Sequence, residues 1–287
     1  MSEEEETRYL TACPVGCAGE LAETDIALPE GSLLHCSICG QLMSQCSENK
    51  YWKSMEEFDD PQGTLPNGRS IERRFHRSKK FLGKIGSLLG KMPADIRLLD
   101  VGCSSGAFLG AAVKLGYRAE GVEPATRAAA TAQAAGLKVR MGLLHEAGYA
   151  DGEFDAVTLF EVIEHLKEPL ALLQECKRIL RPGGILLIGT GNAAGWSAIA
   201  MGAHWEYFDI SKHGGHISFY SPASLEKLAV QAGFKVADVQ TRGVRFCDKS
   251  TSSEPIYTLA KVAAELLTPL VALLDKGNDM AVYLRRV

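Results

Sequence analysis

Two groups of side chains in this 287-residue chain have spacings that chemistry can use. The first is Cys13-Pro-Val-Gly-Cys17 with Cys36-Ser-Ile-Cys39-Gly40, two cysteine pairs separated by a polar stretch. Four thiolates so arranged suit a tetrahedral zinc ion, and four protein ligands leave no open position, so the expected ion is structural and not catalytic. The first pair has three residues between its cysteines where two are usual, and His35 or Cys46 is an alternative ligand. The second group is Leu98-Leu-Asp100-Val-Gly102-Cys103-Ser-Ser-Gly106, with Glu123 21 residues beyond Gly102. Glycines at such a turn let the backbone approach a ligand, and a carboxylate closing the next strand can hold both hydroxyls of a ribose.

The glycine pattern separates two ligand classes. A dinucleotide fold uses G-x-G-x-x-G to seat a pyrophosphate on a helix amino terminus. Here Ser104 takes the second glycine's place and Asp100 precedes the first. A carboxylate there repels a pyrophosphate and suits a ligand with an ammonium and a sulfonium group, such as S-adenosylmethionine.

The elements that must position these groups alternate. Arg97–Val101, Ala119–Glu123, Lys138–Met141, Phe154–Phe160 and Gly184–Gly189 read as strands, with helices at Phe108–Leu115, up to Ala135 and at Pro169–Leu180 between them. Repeated strand and helix of this length predicts a parallel sheet covered on both faces. A further helix, Pro222–Gly233, precedes a strand at Lys235–Val239, with which the final strand Met280–Leu284 is expected to pair antiparallel. The division expected is residues 1–48 as a zinc-ribbon-like module, 49–92 as a linker and basic amphipathic helix, 93–245 as the ligand-binding core, and 246–287 as a helix and strand completing that core.

Residues 97–240 resemble a class I S-adenosylmethionine-dependent methyltransferase of the small-molecule type. The matches are Asp100-Val-Gly-Cys-Ser-Ser-Gly106, Gly121-Val-Glu-Pro124, Phe154-Asp-Ala-Val, Glu161-Val-Ile-Glu-His165 and Ile179-Leu-Arg-Pro-Gly-Gly184. The resemblance implies a Rossmann-like, doubly wound, seven-stranded, mostly parallel α/β sheet whose last strand is antiparallel. It implies that Asp100, Gly102, Cys103 and Gly106 contact the methionine portion, and that Glu123, beside Pro124, binds ribose. Gly142 and Leu143 flank adenine by the same analogy, and Phe160 and Glu161 line the end of the fourth strand. The chain departs from the family pattern at Ser105, where Thr is common, and in lacking an Asp directly after the third strand. A zinc ribbon ahead of such a core resembles an arrangement in several bacterial small-molecule and sugar methyltransferases.

Glu161, Glu164 and His165 resemble a Mg²⁺ set of ubiquinone-type O-methyltransferases, although the same string also packs and caps without metal, and the metal-free reading is favoured. The long loop Asn192–Tyr220 is rich in aromatics and histidines, which suits an acceptor chamber. His216-Ile-Ser-Phe-Tyr220 resembles the family's histidine-then-aromatic signature. His216 and His213 are the expected general bases, and Tyr220 a second acceptor contact.

Composition narrows the alternatives. With Lys+Arg of 31 against Asp+Glu of 35, the formal charge is -4, and residues 1–48 hold Arg8 and no lysine, so no nucleic-acid partner is expected. Thr258–Leu274 is apolar, yet Lys261, Glu265 and Pro269 make it read as too short and interrupted to span a bilayer. The start lacks a secretory pattern, and the eight cysteines read as reduced thiols, so the cytoplasm is the expected location. The expected function is O- or C-methylation of a small molecule. The competing readings are a non-catalytic nucleoside-binding regulator and a methyltransferase that engages protein or RNA through its zinc module.

Overall fold

The computed structural model describes residues 7–58, 68–210, 214–247 and 252–287. The chain opens with a hairpin, β1 (Leu21–Leu28) and β2 (Gly31–Cys36), then a short strand β3 (Leu42–Met43), helix α1 (Glu48–Phe58) and helix α2 (Gly68–Leu89). The alternating body follows as β4 (Arg97–Val101), α3 (Ala107–Lys114), β5 (Arg118–Glu123), α4 (Thr126–Ala134), β6 (Val139–Met141) and β7 (Phe154–Phe160). It continues through α5 (Pro169–Ile179), β8 (Leu180–Gly191), α6 (Trp196–Met201), β9 (Ser218–Phe219) and α7 (Pro222–Gln231). β10 (Phe234–Arg242), α8 (Glu254–Leu273) and β11 (Asp279–Arg286) complete it.

Seven strands form one sheet in the order β6-β5-β4-β7-β8-β11-β10. The first five run parallel, and β11 is antiparallel to both neighbours, as the sequence leads one to expect. β7 is apolar almost throughout and buried along nearly its whole length, as a strand covered on both faces requires. The strand order reverses between β4 and β7, which opens a crevice beyond their carboxyl ends where such sheets bind ligands. α2 buries Phe81, Leu82 and Ile85 with Leu98, Ile185 and Tyr283, while Arg73, Arg74, Lys79 and Lys80 stay exposed.

The first surprise is a second sheet, ordered β1-β2-β3-β9, whose last strand comes from the body. Residues 1–48 lack apolar surface for a core of their own. The structure answers this by merging Leu10, Val15, Leu34 and Met43 into the same buried cluster as Leu173, Leu225 and Leu228. The second is α8. It is one 20-residue helix with Pro269 inside it, long and apolar enough by length and composition to cross a membrane, which corrects the expectation that the segment is too short. Ala264 and Val271 pack inward, while Leu259, Leu266 and Leu273 are 72%, 77% and 80% exposed. Between α8 and residues 244–247 lies a cleft of about 410 Å³ that no residue of the glycine turn lines.

Candidate functional site

The turn after β4 brings the first group together. Gly102 and Gly106 have φ of +68° and +84°, in the left-handed region where a side chain is strained. Space is short as well, since a Cβ on Gly102 would meet Val162 Cγ2 at 2.6 Å and one on Gly106 would crowd Leu137 Cδ1, so those side chains would have to shift. Asp100 is buried at the end of β4 and accepts a hydrogen bond from the Thr158 hydroxyl at 2.7 Å. Burial pushes its carboxyl up to about 7; the Thr158 bond opposes this and the Glu123 carboxylate adds to it. Glu123 closes β5, and its two oxygens accept from the backbone N–H groups of Ser104 and Ala125, each at 2.8 Å. Each carboxylate oxygen has two lone pairs, so both keep capacity for a hydroxyl donor. Cys103 is buried beneath the turn, and Pro124 is exposed at its rim. Gly142 donates its N–H to the Glu123 carbonyl, and Leu143 beside it is exposed.

The second half surrounds the end of β7. The Phe160 ring is wedged between Phe81 and Phe108, with centroids 5.3 and 4.6 Å away, and so packs under the helices. Glu161 has φ +53°, a strained conformation of the kind that gathers at functional sites. Its carboxylate accepts from the Tyr207 hydroxyl at 3.4 Å, and that hydroxyl is 3.3 Å from Asp279. Glu161 still reaches solvent, but desolvation by the surrounding atoms, then the Glu164 and Asp279 carboxylates, push its carboxyl above the usual range. Arg77 of α2 lies within electrostatic reach of Glu161, Tyr207 and Asp279.

Behind Glu161, Glu164 and His216 are buried together, with Glu164 Oε1 3.8 Å from His216 Nε2. No well-formed hydrogen bond reaches either Glu164 oxygen among the described residues, although Thr190 and Glu161 lie beside it; burial outweighs their pull and raises its carboxyl to about 7. His216 Nδ1 is 3.1 Å from the Tyr207 carbonyl, and its ring stacks on Tyr207 and meets His165 edge-on. Glu164, His165 and His216 offer ligand atoms within 4.8 Å of one another, enough to hold a metal ion. The sequence grouped Glu161 with Glu164 and His165; in the structure Glu161 stays beside Glu164 and also meets Tyr207, while His216 joins Glu164 and His165 in the cluster.

The expected acceptor contacts are redistributed. His216 is only 2% exposed and Tyr220 1%, so neither side chain opens onto solvent. Tyr220 is sealed in by burial, which pushes its hydroxyl up, and it lies within electrostatic reach of Glu164, Cys13 and Cys39. His213 lies outside the described residues. Tyr207 belongs to the aromatic loop that the sequence marked as an acceptor chamber, whereas Arg77 and Asp279 carried no site signal, since neither spacing nor motif joins positions that meet only once the sheet has assembled.

The four sulfurs of Cys13, Cys17, Cys36 and Cys39 lie within 4.8 Å of one another, and Cys13 Sγ is 3.5 Å from Cys39 Sγ. Zinc–sulfur bonds of about 2.3 Å place tetrahedral sulfurs roughly 3.8 Å apart, so the tetrad fits such an ion. Burial pushes the Cys13 and Cys39 thiols up, while at Cys36 burial is outweighed by the backbone N–H groups of Cys39 and Ile38, with the Cys39 and Cys13 thiols, which bring the thiol down to about 7.

A family model described as a methyltransferase domain matches residues 70–239. Among curated proteins, the chain is similar to the ubiquinone biosynthesis O-methyltransferase of Dinoroseobacter shibae, at 35% identity over 153 residues, covering 50% of this chain and 61% of that protein. The protein of the same name from Psychrobacter arcticus is 31% identical over 159 residues, covering 51% and 62%. The matches thus span about three fifths of these relatives' lengths. Among solved structures, an S-adenosylmethionine-dependent methyltransferase from Archaeoglobus fulgidus superposes with a TM-score of 0.54 at 20% identity, covering 76% of this chain and 95% of that one. One from Thermotoga maritima gives 0.51 at 21%, covering 83% and 100%. At such identity the likeness is one of fold.

Proposed function

Because this chain belongs to the methyltransferase-domain family, we propose that it transfers the sulfonium methyl of S-adenosylmethionine to a small-molecule acceptor, to oxygen in preference to carbon. The observation that carries the reading is the contact between the two halves of the site. Val162 lies directly over Gly102, so the turn bearing Asp100 borders the segment bearing Glu161 and Glu164. The relatives named for ubiquinone biosynthesis support O-methylation, and acceptors from that route are the first to test.

S-adenosylmethionine brings an already activated methyl group, so alignment of the acceptor supplies most of the acceleration, roughly 7–11 kcal/mol. Asp100 would pair with the ligand's ammonium group, Glu123 would hold the ribose hydroxyls, and Gly142 and Leu143 would flank the base. Glu161 would take the acceptor's proton, with Tyr207 steadying the carboxylate; a carboxyl raised toward neutrality is suited to that task. His216 would act from behind, by fixing the Tyr207 backbone. The cysteine tetrad would hold one structural zinc ion, which a reducing cytoplasm permits.

A second reading is favoured by the buried Glu164 carboxylate clustered with His165 and His216. An ion held by Glu164, His165 and His216 would polarise an acceptor oxygen, and one oxygen with two imidazoles suits Zn²⁺ or Fe²⁺ better than Mg²⁺. Activity lost to EDTA while the tetrad zinc is retained would establish it.

The test is calorimetry with S-adenosylhomocysteine, followed by turnover of labelled S-adenosylmethionine with metabolite extracts. Micromolar binding and transfer to a small molecule are expected. Tighter binding of NAD would overturn the ligand assignment, and binding without any turnover would favour the regulatory alternative.

A further inference from the structure

The N-terminal segment is built into the acceptor side of the site at every level. β3 pairs with β9 through Leu42 opposite Phe219 and Met43 opposite Ser218. The ladder then runs on into the site. Ser44 N–H donates to the Ile217 carbonyl at 3.0 Å, and Ile217 N–H donates to the Glu164 carbonyl at 3.0 Å. Helix α1 adds two more ties, with the Tyr51 hydroxyl donating to the His165 carbonyl at 2.9 Å and the Ser54 hydroxyl oxygen accepting from Gly215 N–H at 2.8 Å. His165 and the residues on both sides of His216 are therefore held at their backbone groups by Ser44, Tyr51 and Ser54, and Glu164 is held in turn through Ile217.

The tetrad end of the same segment is fastened to a different element. Lys227 and Gln231 of α7 donate to the carbonyls of Ile38 and Val15 at 2.9 and 2.7 Å, and both acceptors lie next to tetrad cysteines or between them. The hairpin also carries Leu33 into a cluster with Trp205, Phe208 and Phe219 from the acceptor loop. By contrast, the described hydrogen bonds from residues 7–58 to the body fall on 165 and 215–231, with apolar contacts reaching the acceptor loop and the common core, while the glycine turn and Glu123 take their bonds from within the body.

We propose that residues 7–58 are the positioning half of the acceptor site: an ion in the cysteine tetrad holds β3 against β9, and through Ser44, Tyr51 and Ser54 this fixes Glu164 and His216 without touching the cofactor half. The inference rests on reading the Glu161–His216 region as the acceptor side. Cys13 and Cys39 are 26 residues apart in sequence, and the second cysteine pair brackets the β2–β3 turn that leads into β3 and so to β9. With the tetrad empty, the two pairs are joined by weak thiol–thiol contacts such as Cys13–Cys39 at 3.5 Å, and the two-residue β3 loses the anchor at its entry.

The experiment is amide hydrogen exchange on the full chain, purified with zinc measured, before and after zinc removal by a high-affinity chelator and after zinc return. Removal is expected to speed exchange across 214–220 by at least about tenfold and to leave 98–101 and 154–160 unchanged, with the affinity for S-adenosylhomocysteine within about twofold. Returning zinc should restore protection. Tyr51→Phe and Ser54→Ala keep the tetrad and should speed exchange at 214–217 about fivefold, the effect of one lost hydrogen bond. Unchanged exchange at 214–220 in the zinc-free protein overturns the proposal, as does protein that never holds zinc. Loss of protection in β4 and β7 together with ligand binding overturns it too, because the segment would then stabilise the whole fold and position nothing. Failure to bind the ligand even with zinc in place would instead refute the methyltransferase reading, so the two failures are distinct.

Discussion

His216 Nδ1 lies 3.1 Å from the backbone carbonyl of Tyr207, and the two rings stack at 5.7 Å with an interplanar angle of 15°. A buried imidazole thus sets the position of the phenol that meets Glu161. His216→Ala removes the ring and leaves a carbonyl without its donor, at a cost of about 2–4 kcal/mol in stability. Thermal unfolding should show the loss, and calorimetry should show unchanged affinity for S-adenosylhomocysteine. A weakened ligand affinity in a folded variant would contradict the placement of His216 outside the cofactor half.

Glu161 is expected to act as a base, so methyl transfer should rise with pH as its carboxyl ionises. Glu161→Gln should lower the rate about 10²–10⁴-fold. Tyr207→Phe deletes the hydrogen bond to the carboxylate, which raises the Glu161 value further and moves the rising limb of the rate profile to higher pH. Once an acceptor is known, initial rates from pH 5 to 9 decide this; a profile that Tyr207→Phe leaves in place would refute the pairing.

Glu123→Ala should weaken binding of S-adenosylhomocysteine by the value of charge-assisted hydrogen bonds, roughly 1.5–3 kcal/mol. The change also removes the acceptor for Ser104 and Ala125 N–H, so the turn should loosen. Titration calorimetry measures the first effect, and an affinity equal to that of the unaltered protein would remove Glu123 from the ligand site.

Asp100 makes ligand binding depend on pH. Its folded-state value, about 7, lies above the ordinary 3.8, so the folded protein holds the proton more tightly than the unfolded chain. Its contribution to stability is therefore present at low pH and is lost as pH rises from about 4 toward 7. A ligand ammonium favours the ionised form, so affinity should increase with pH below 7, by up to about tenfold per unit, with release of a proton. Calorimetry in two buffers of different ionisation enthalpy counts that proton. Asp100→Asn should abolish the dependence, and a persisting slope in that variant would assign it elsewhere.

What could be read from the sequence was local. Asp100, Gly102, Gly106 and Glu123 sit on one strand–turn–helix and the next strand end, where spacing alone determines who faces whom. The mostly parallel sheet followed from alternation, and the antiparallel finish from the expected pairing of the last strand. Tyr207, Arg77 and Asp279 lie on a loop, a helix and the last strand, and only assembly of the sheet makes them neighbours. Burial of Tyr220 was hidden for a related reason: the sequence shows an aromatic after a histidine, but not that the residue directly following β9 packs inside, near Glu164, Cys13 and Cys39. The shared core of residues 10–43 was also hidden, because its apolar residues are too few to announce a fold and need partners about 150 residues later.

The pairing of Met43 with Ser218 joins positions roughly 175 residues apart. During synthesis at about 5–20 residues per second, the cysteine-bearing strands leave the ribosome some 10–35 s before β9 exists. For that interval the hairpin edge has no neighbour and the tetrad thiols have no finished setting, so they are open to oxidation or to mispairing with another nascent chain. Early capture of a metal ion by the four cysteines would shelter both, and zinc supply during translation would then govern how much correctly assembled protein a cell obtains.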